Sequence, residues 1–279
     1  MTRSTLLLCW IVPVFFLGAC ATTENHTVSS FGTAPSYSGP YPRPLYDTPP
    51  EGQEEKRAHV HIVRGREYLY DPSTIWRPDL ALEAAETALK IKSGYPLAYH
   101  LMGLAYMELG QNAQADNAFR QALNAAPGDP EFNDSYGWFL CLQKRVSEAM
   151  PRFATSAANP YYFHKTVTYT HSGQCLLENN EFERAETQFS KALEADSFNR
   201  EAMYWLAETR YRRGDYRATY RLLIEYHQKF DPSARSAWLG LRAARRLGER
   251  HTEASYAEQL RGRFAGSSEN ALMMQGKYE

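Results

Sequence analysis

The side chains with the most chemistry to offer in this chain are two histidines, His59 and His61, and two cysteines, Cys141 and Cys175. The histidines stand two residues apart. On a helix that spacing sends them to different sides, so they cannot chelate one ion together. The sequence contains no H-E-x-x-H, no G-x-S-x-G, no phosphate-binding glycine loop and no C-x-x-C. Carboxylates are plentiful, but without a fixed pair they form a solvated face. The expectation is therefore no catalytic residue, no metal, no cofactor and no small-molecule substrate. For Cys141 and Cys175 the open choices are packing, pairing or a reactive thiol, and the elements that carry them decide.

Those elements are legible from Pro96 to Asp129, a stretch with Tyr99, Met102, Gly103, Tyr106, Ala115, Phe119, Ala122 and Pro127. Their spacing is that of a tetratricopeptide repeat (TPR), a helix–turn–helix of 34 residues. Met102, Gly103 and Tyr106 share one face of a first helix. Gly110-Gln111-Asn112 ends it. Ala115, Phe119 and Ala122 line one face of a second helix, and Pro127 stops that one. Small residues let the two helices approach, while Tyr106 and Phe119 fill the space between pairs.

The pattern recurs with Tyr136, Gly137, Leu140, Ala149 and Phe153, and again with Tyr169, Gly173, Leu176, Ala185, Phe189 and Ala192. From Arg200 it weakens. Leu206, Ala207 and Leu223 fit, but Arg210 and Thr219 do not. A last pair carries Trp238, Gly240, Tyr256 and Leu260. A first pair carries Gly65 and Tyr68, then Ala81, Ala85 and Ala88, with the turn enlarged around Asp71–Pro78. The fold class is all-α, a TPR-type solenoid of about six helix pairs, near residues 58–95, 96–129, 130–163, 166–199, 200–232 and 233–264. The tail 265–279 reads as frayed. Cys141 and Cys175 fall at different positions of adjacent first helices, with Cβ directions roughly 200° apart. That difference predicts two separate buried thiols rather than a disulfide.

Ahead of the repeats, residues 1–19 read as a secretory signal: Arg3, then the apolar run Leu6–Phe16. Roughly fourteen apolar residues broken by Pro13 are too few to cross a ~30 Å hydrocarbon core. Leu17-Gly18-Ala19-Cys20 resembles the lipobox of bacterial lipoproteins, which implies an acylated Cys20 as the first mature residue and a covalent N-acyl diacylglycerol there. Ala21 after the cysteine implies outer-membrane sorting. Residues 20–53, with six prolines between Pro35 and Pro50, read as a flexible tether, with Tyr37, Tyr41 and Tyr46 as a possible Pro-aromatic docking motif. The tether's coil span is roughly 30 Å. The chain holds 31 basic and 32 acidic residues, and loss of Arg3 with the leader brings the charge near −2. No basic stripe is present, so nucleic acid is not an expected partner.

Residues 133–141 read Asn-Asp-Ser-Tyr-Gly-Trp-Phe-Leu-Cys. Trp138, Phe139 and Leu140 cover much of a helix circumference, which places Trp138 outside its own pair's core, in the concave groove. Together with Ala149-Met150-Pro151-Arg152-Phe153, Asn159-Pro160-Tyr161-Tyr162, Gly173-Gln174-Cys175, Trp238–Arg242 and Ser255–Leu260, this segment resembles the type IV pilus assembly TPR lipoproteins, or pilotins, of the PilF/PilW type. The resemblance runs over roughly residues 56–268, and Ser135 stands where the family carries a second Asn. It implies a non-enzymatic scaffold on the periplasmic face of the outer membrane, held by lipid, that escorts the pilus secretin subunit or stabilises its ring and the pilus. The alternative is a TPR lipoprotein adaptor for an envelope protease or an outer-membrane protein assembly complex. Groove positions of successive first helices nominate His100, Leu104, Met107, Trp138, Tyr204 and Tyr211 as partner-binding residues. Clamps for acidic C-termini place Lys and Asn where this chain has His100/Leu104 and Asp134/Trp138, which argues against that mode.

Overall fold

The computed structural model describes residues 43–71 and 76–278. The leader, Cys20, most of the tether with Tyr37 and Tyr41, and residues 72–75 of the enlarged turn lie outside the described residues. Among those described, regular structure is helical throughout. After a 3-10 turn at Leu45–Asp47 come α1 (Gly52–Tyr70), α2 (Pro78–Ile91), α3 (Pro96–Glu108), α4 (Asn112–Ala125), α5 (Pro130–Leu142), α6 (Val146–Ala158) and α7 (Lys165–Glu178). They continue with α8 (Phe182–Ala195), α9 (Arg200–Arg212), α10 (Tyr216–Lys229), α11 (Ala234–Leu247), α12 (Arg250–Gly262) and α13 (Ser268–Met274). The first twelve make six helical hairpins. Each odd helix packs on its own partner and on the next odd helix; each even helix packs back on its partner and onto the following odd helix. The odd helices therefore line the inner face of the stack.

One lock repeats along it. A Cβ on Gly103 would sit 2.6 Å from the Phe119 ring, on Gly137 2.9 Å from Phe153, and on Gly173 2.6 Å from Phe189. Gly240 meets Tyr256 in the same way. Each glycine admits a ring that would otherwise have to withdraw from the pair. The fifth pair departs from this consistently: Ala207 takes the glycine's place and Leu223 the ring's, both fully buried. The unexpected Thr219 is also buried, its hydroxyl donating to the Asp215 carbonyl at 2.9 Å. Arg210 is satisfied by Glu186 at 2.8 Å. In the first pair Ala81, Ala85 and Ala88 are buried as expected. Gly65 there faces Leu101 of the next hairpin.

Three expectations change. The tail does not fray, since α13 packs on α11 and α12 with Met273 buried. Tyr278 then stacks on Trp238 at 5.6 Å under the Arg245 guanidinium. The tether ends earlier than residue 53, because Pro44 is buried, a turn forms at Leu45–Asp47, and α1 starts at Gly52. Cys141 and Cys175 are joined in a disulfide, with their Cα atoms 5.5 Å apart. Two side-by-side helices meet through opposite faces, so Cβ directions nearly half a turn apart are the convergent arrangement.

Candidate functional site

The inner face is where a partner would lie, and the same geometry changes the reading of the six nominated residues. On α3, α5 and α9, His100, Trp138, Tyr204 and Tyr211 point into the seam with the next odd helix. His100 stacks on Phe132 at 4.5 Å and is fully buried. Leu104 and Tyr204 are buried as well. Met107, Trp138 and Tyr211 are half-buried. Trp138 stacks on His171 at 4.7 Å, and His171 Nδ1 lies 3.1 Å from a buried Asp134 carboxylate. The six residues thus do not make one patch; a seam of interlocked rings and charges runs between neighbouring helices. Sequence spacing locates these positions but not the closeness of the next repeat, which converts groove into seam.

At the α9–α11 end the seam is ionic and aromatic. Glu208, 6% exposed, accepts from Arg212 Nε at 3.1 Å and from Arg242 at 2.9 Å. The Arg242 guanidinium lies 4.5 Å over the Tyr211 ring and 5.7 Å over Trp238. Arg235 covers Tyr204 at 4.2 Å and Trp205 at 5.0 Å. Such pairs stabilise by roughly 0.5–2 kcal/mol each, depending on desolvation.

At the α1–α5 end the inner face combines the apolar Ile62 and Phe132 with His100, Asp129 and the Arg66–Glu131 pair, and the chain covers it with its own residues 44–47. The Leu45 N–H donates to Asp129 Oδ2 at 2.8 Å, while Asp129 Oδ1 caps α5 by accepting the Phe132 N–H at 2.9 Å. The Tyr46 hydroxyl lies 2.9 Å from His100 Nδ1. The Tyr46 ring lies edge-on to Phe132, with the Arg66 guanidinium 4.1 Å above it. Arg66 also pairs with Glu131 at 3.3 Å. Burial keeps His100 neutral, lowering it to about 3, and burial also raises Glu131 to about 7 despite Arg66. Tyr46, expected as part of a flexible tether with docking on a partner as the alternative, docks instead on the chain's own cradle. Nearby, His59 Nδ1 bonds the Tyr95 hydroxyl at 3.2 Å, which accounts for one of the two histidines.

Among the described residues no group of three or more His, Cys, Asp or Glu side chains is placed to hold a metal ion. No helix among them is long and apolar enough to cross a membrane.

Paired helices with this glycine–aromatic lock and a seam-lined inner face define a tetratricopeptide-repeat solenoid, and the tetratricopeptide-repeat models match residues 97–129 and 173–218. The chain is homologous to the type IV pilus biogenesis proteins PilF and PilW. It is 26% identical over 219 residues to the type IV pilus assembly protein PilF of Pseudomonas aeruginosa, covering 78% of this chain and 85% of that protein. The crystal structure of PilW, described as a widely conserved type IV pilus biogenesis factor, superposes with a TM-score of 0.72 at 26% identity, over 78% of this chain and 99% of that one. A structure of Pseudomonas aeruginosa PilF has the same fold, with a TM-score of 0.67 at 24% identity over 80% of this chain and 99% of that one.

Proposed function

We propose that this chain is a lipid-anchored scaffold of type IV pilus biogenesis, acting as a pilotin: it holds the secretin subunit or another pilus assembly protein and works by binding rather than catalysis. The observation that carries the reading is relatedness over 78% of the chain, with similarity to PilF over 219 residues and to PilW over 99% of that structure. The repeat architecture supports it, because stacked hairpins offer a long continuous face and few mobile parts. Cys20 is the attachment point for the lipid, on the periplasmic side of the outer membrane. The spacer between Cys20 and Pro44 gives the stack reach from that surface.

A deletion strain tests this. Loss of detergent-resistant secretin multimers or of surface pili, restored by the wild-type gene, is the expected result. Intact multimers together with normal piliation would overturn it, as would co-purification with an envelope protease and no pilus component. Labelled palmitate should enter the wild-type protein and not Cys20→Ala; equal labelling would remove the anchor from the proposal.

A further inference from the structure

The cradle around Tyr46 has the parts of a peptide-recognition site, with a resident peptide already in it. Asp129 reads main chain, taking the N–H of the residue before the tyrosine at 2.8 Å. Arg66, His100 and Phe132 read the tyrosine itself. His100 is fully enclosed and its Nε2 has no partner, so the Tyr46 hydroxyl on Nδ1 is the one polar contact its ring makes. A phenylalanine would leave both ring nitrogens unbonded in an apolar setting, which is how a buried polar group selects for a hydroxyl. The segment is presented as a tight turn: the Asp47 N–H and the Thr48 hydroxyl both donate to the Pro44 carbonyl at 3.0 Å.

The resident peptide only part-fills the site. On one side of Tyr46 a cavity of about 400 Å³ opens between Ile62, Val63, Arg66 and Tyr70. A second cavity of about 280 Å³ lies against Pro44 and Asp47, walled by Tyr161 and Phe163. Among the described residues, Phe163 is 87% exposed and Val63 46%, so each cavity has an apolar side chain open to an incoming segment. A strap that merely closed the groove would not leave two cavities with apolar side chains beside it. We propose that the Arg66–His100–Asp129–Phe132 cradle is a linear-peptide site, that residues 44–47 are its built-in competitor, and that its ligand is a partner segment with a tyrosine after an apolar residue and further apolar side chains on both flanks. Recognition uses the main-chain N–H and the tyrosine hydroxyl for register and the flanking pockets for affinity. Residues 48–51 join the competitor to α1. So short a link holds it at an effective concentration on the order of millimolar. An incoming segment therefore displaces it only if the extra pockets are used. The proposal rests on the chain being a protein-holding scaffold and not on the pilus assignment: a deletion strain with normal pili would remove the latter and leave the binding measurements below unchanged.

The test uses the mature full-length chain and a fluorescent synthetic peptide Arg-Pro-Leu-Tyr-Asp-Thr, the sequence of residues 43–48. By anisotropy, Tyr46→Ala should bind it at least tenfold more tightly than wild type, because the local competitor is gone. The peptide with Phe for Tyr should bind that variant at least tenfold more weakly, and adding Arg66→Ala should also weaken binding. Equal affinity in wild type and Tyr46→Ala, or no binding by a variant with wild-type circular dichroism, would overturn the proposal. Wild-type protein provides an independent measurement through hydrogen exchange at the Leu45 amide. Exchange should be slow alone and accelerate on saturation with a longer peptide bearing leucines on both flanks. Unchanged exchange with that peptide bound would equally overturn it.

Discussion

The two ends of the inner face solve one problem in different ways. Between α9 and α11 the first helices carry their own counterparts: Glu208 pairs with Arg212 and Arg242, Arg235 pairs with Glu201, and Arg235 and Arg242 lie over Tyr204, Tyr211 and Trp238. Between α1 and α5 the central inner positions are Ile62, His100, Leu104 and Phe132, with one ion pair, Arg66–Glu131, beside them, and residues 44–47 are folded in to cover them. A self-satisfied seam has little left to offer a partner, whereas a surface needing a cover can accept a different one. Binding capacity on this solenoid therefore follows from where the repeat lacks its own complement.

The largest expected effect concerns the link between the two ends. The Cys141–Cys175 bond closes a loop with a sequence separation of 34 between α5 and α7. By chain entropy a bridge of that span stabilises by up to about 4 kcal/mol. The Cys141→Ser/Cys175→Ser protein should lose most of that in urea unfolding, and its two halves should melt at separate midpoints. A single unshifted transition would mean that packing alone couples the ends. Next is the ionic end. Glu208→Ala leaves Arg242, whose side chain is 13% exposed, without a carboxylate, and should cost about 3 kcal/mol. A loss under about 0.5 kcal/mol would place it with surface pairs instead. At the covered end, Asp129→Ala strands the Leu45 and Phe132 N–H groups and should cost about 2 kcal/mol, with Tyr46 becoming more exposed by fluorescence.

The smallest effect is a pH dependence confined to the covered end. Burial raises Glu131 to about 7, with Asp129, Asp47 and Asp134 adding to the rise and Arg66 opposing it. In the unfolded chain its value is near 4.5, so the folded state holds the extra proton between 4.5 and 7. That stabilising contribution is complete below 4.5 and is lost as pH rises through 7. His100 works in the opposite sense: lowered from 6.5 to about 3, it favours folding above 6.5 and loses this as pH falls. The two offset each other in wild type. Glu131→Gln should unmask the histidine, so that from pH 7 to pH 5 the variant loses about 1 kcal/mol more than wild type in urea titrations. Parallel profiles would show that Glu131 titrates as a solvated carboxyl and does not set the pH dependence of this end.

Much of this architecture was legible in the chain. Tyr–Gly–aromatic and Ala–Phe–Ala spacings dictate paired helices because each glycine must receive one ring, and the locks at Gly103, Gly137 and Gly173 sit where the spacing put them. The weakened fifth pair was visible too, in Arg210 and Thr219, and the structure adds what replaces the lock there, Leu223 packed where the other pairs have a ring and Ala207 where they have glycine. Local periodicity determines which face of each helix is apolar, since that depends only on 3.6 residues per turn. It could not determine what lies against that face. Whether Cys141 meets Cys175, whether His100 lines a groove or a seam, and whether Tyr46 trails in a tether or fills a pocket depend on how closely one hairpin stacks on the next. That distance is set by side chains far apart in the chain, so tertiary packing alone decided it.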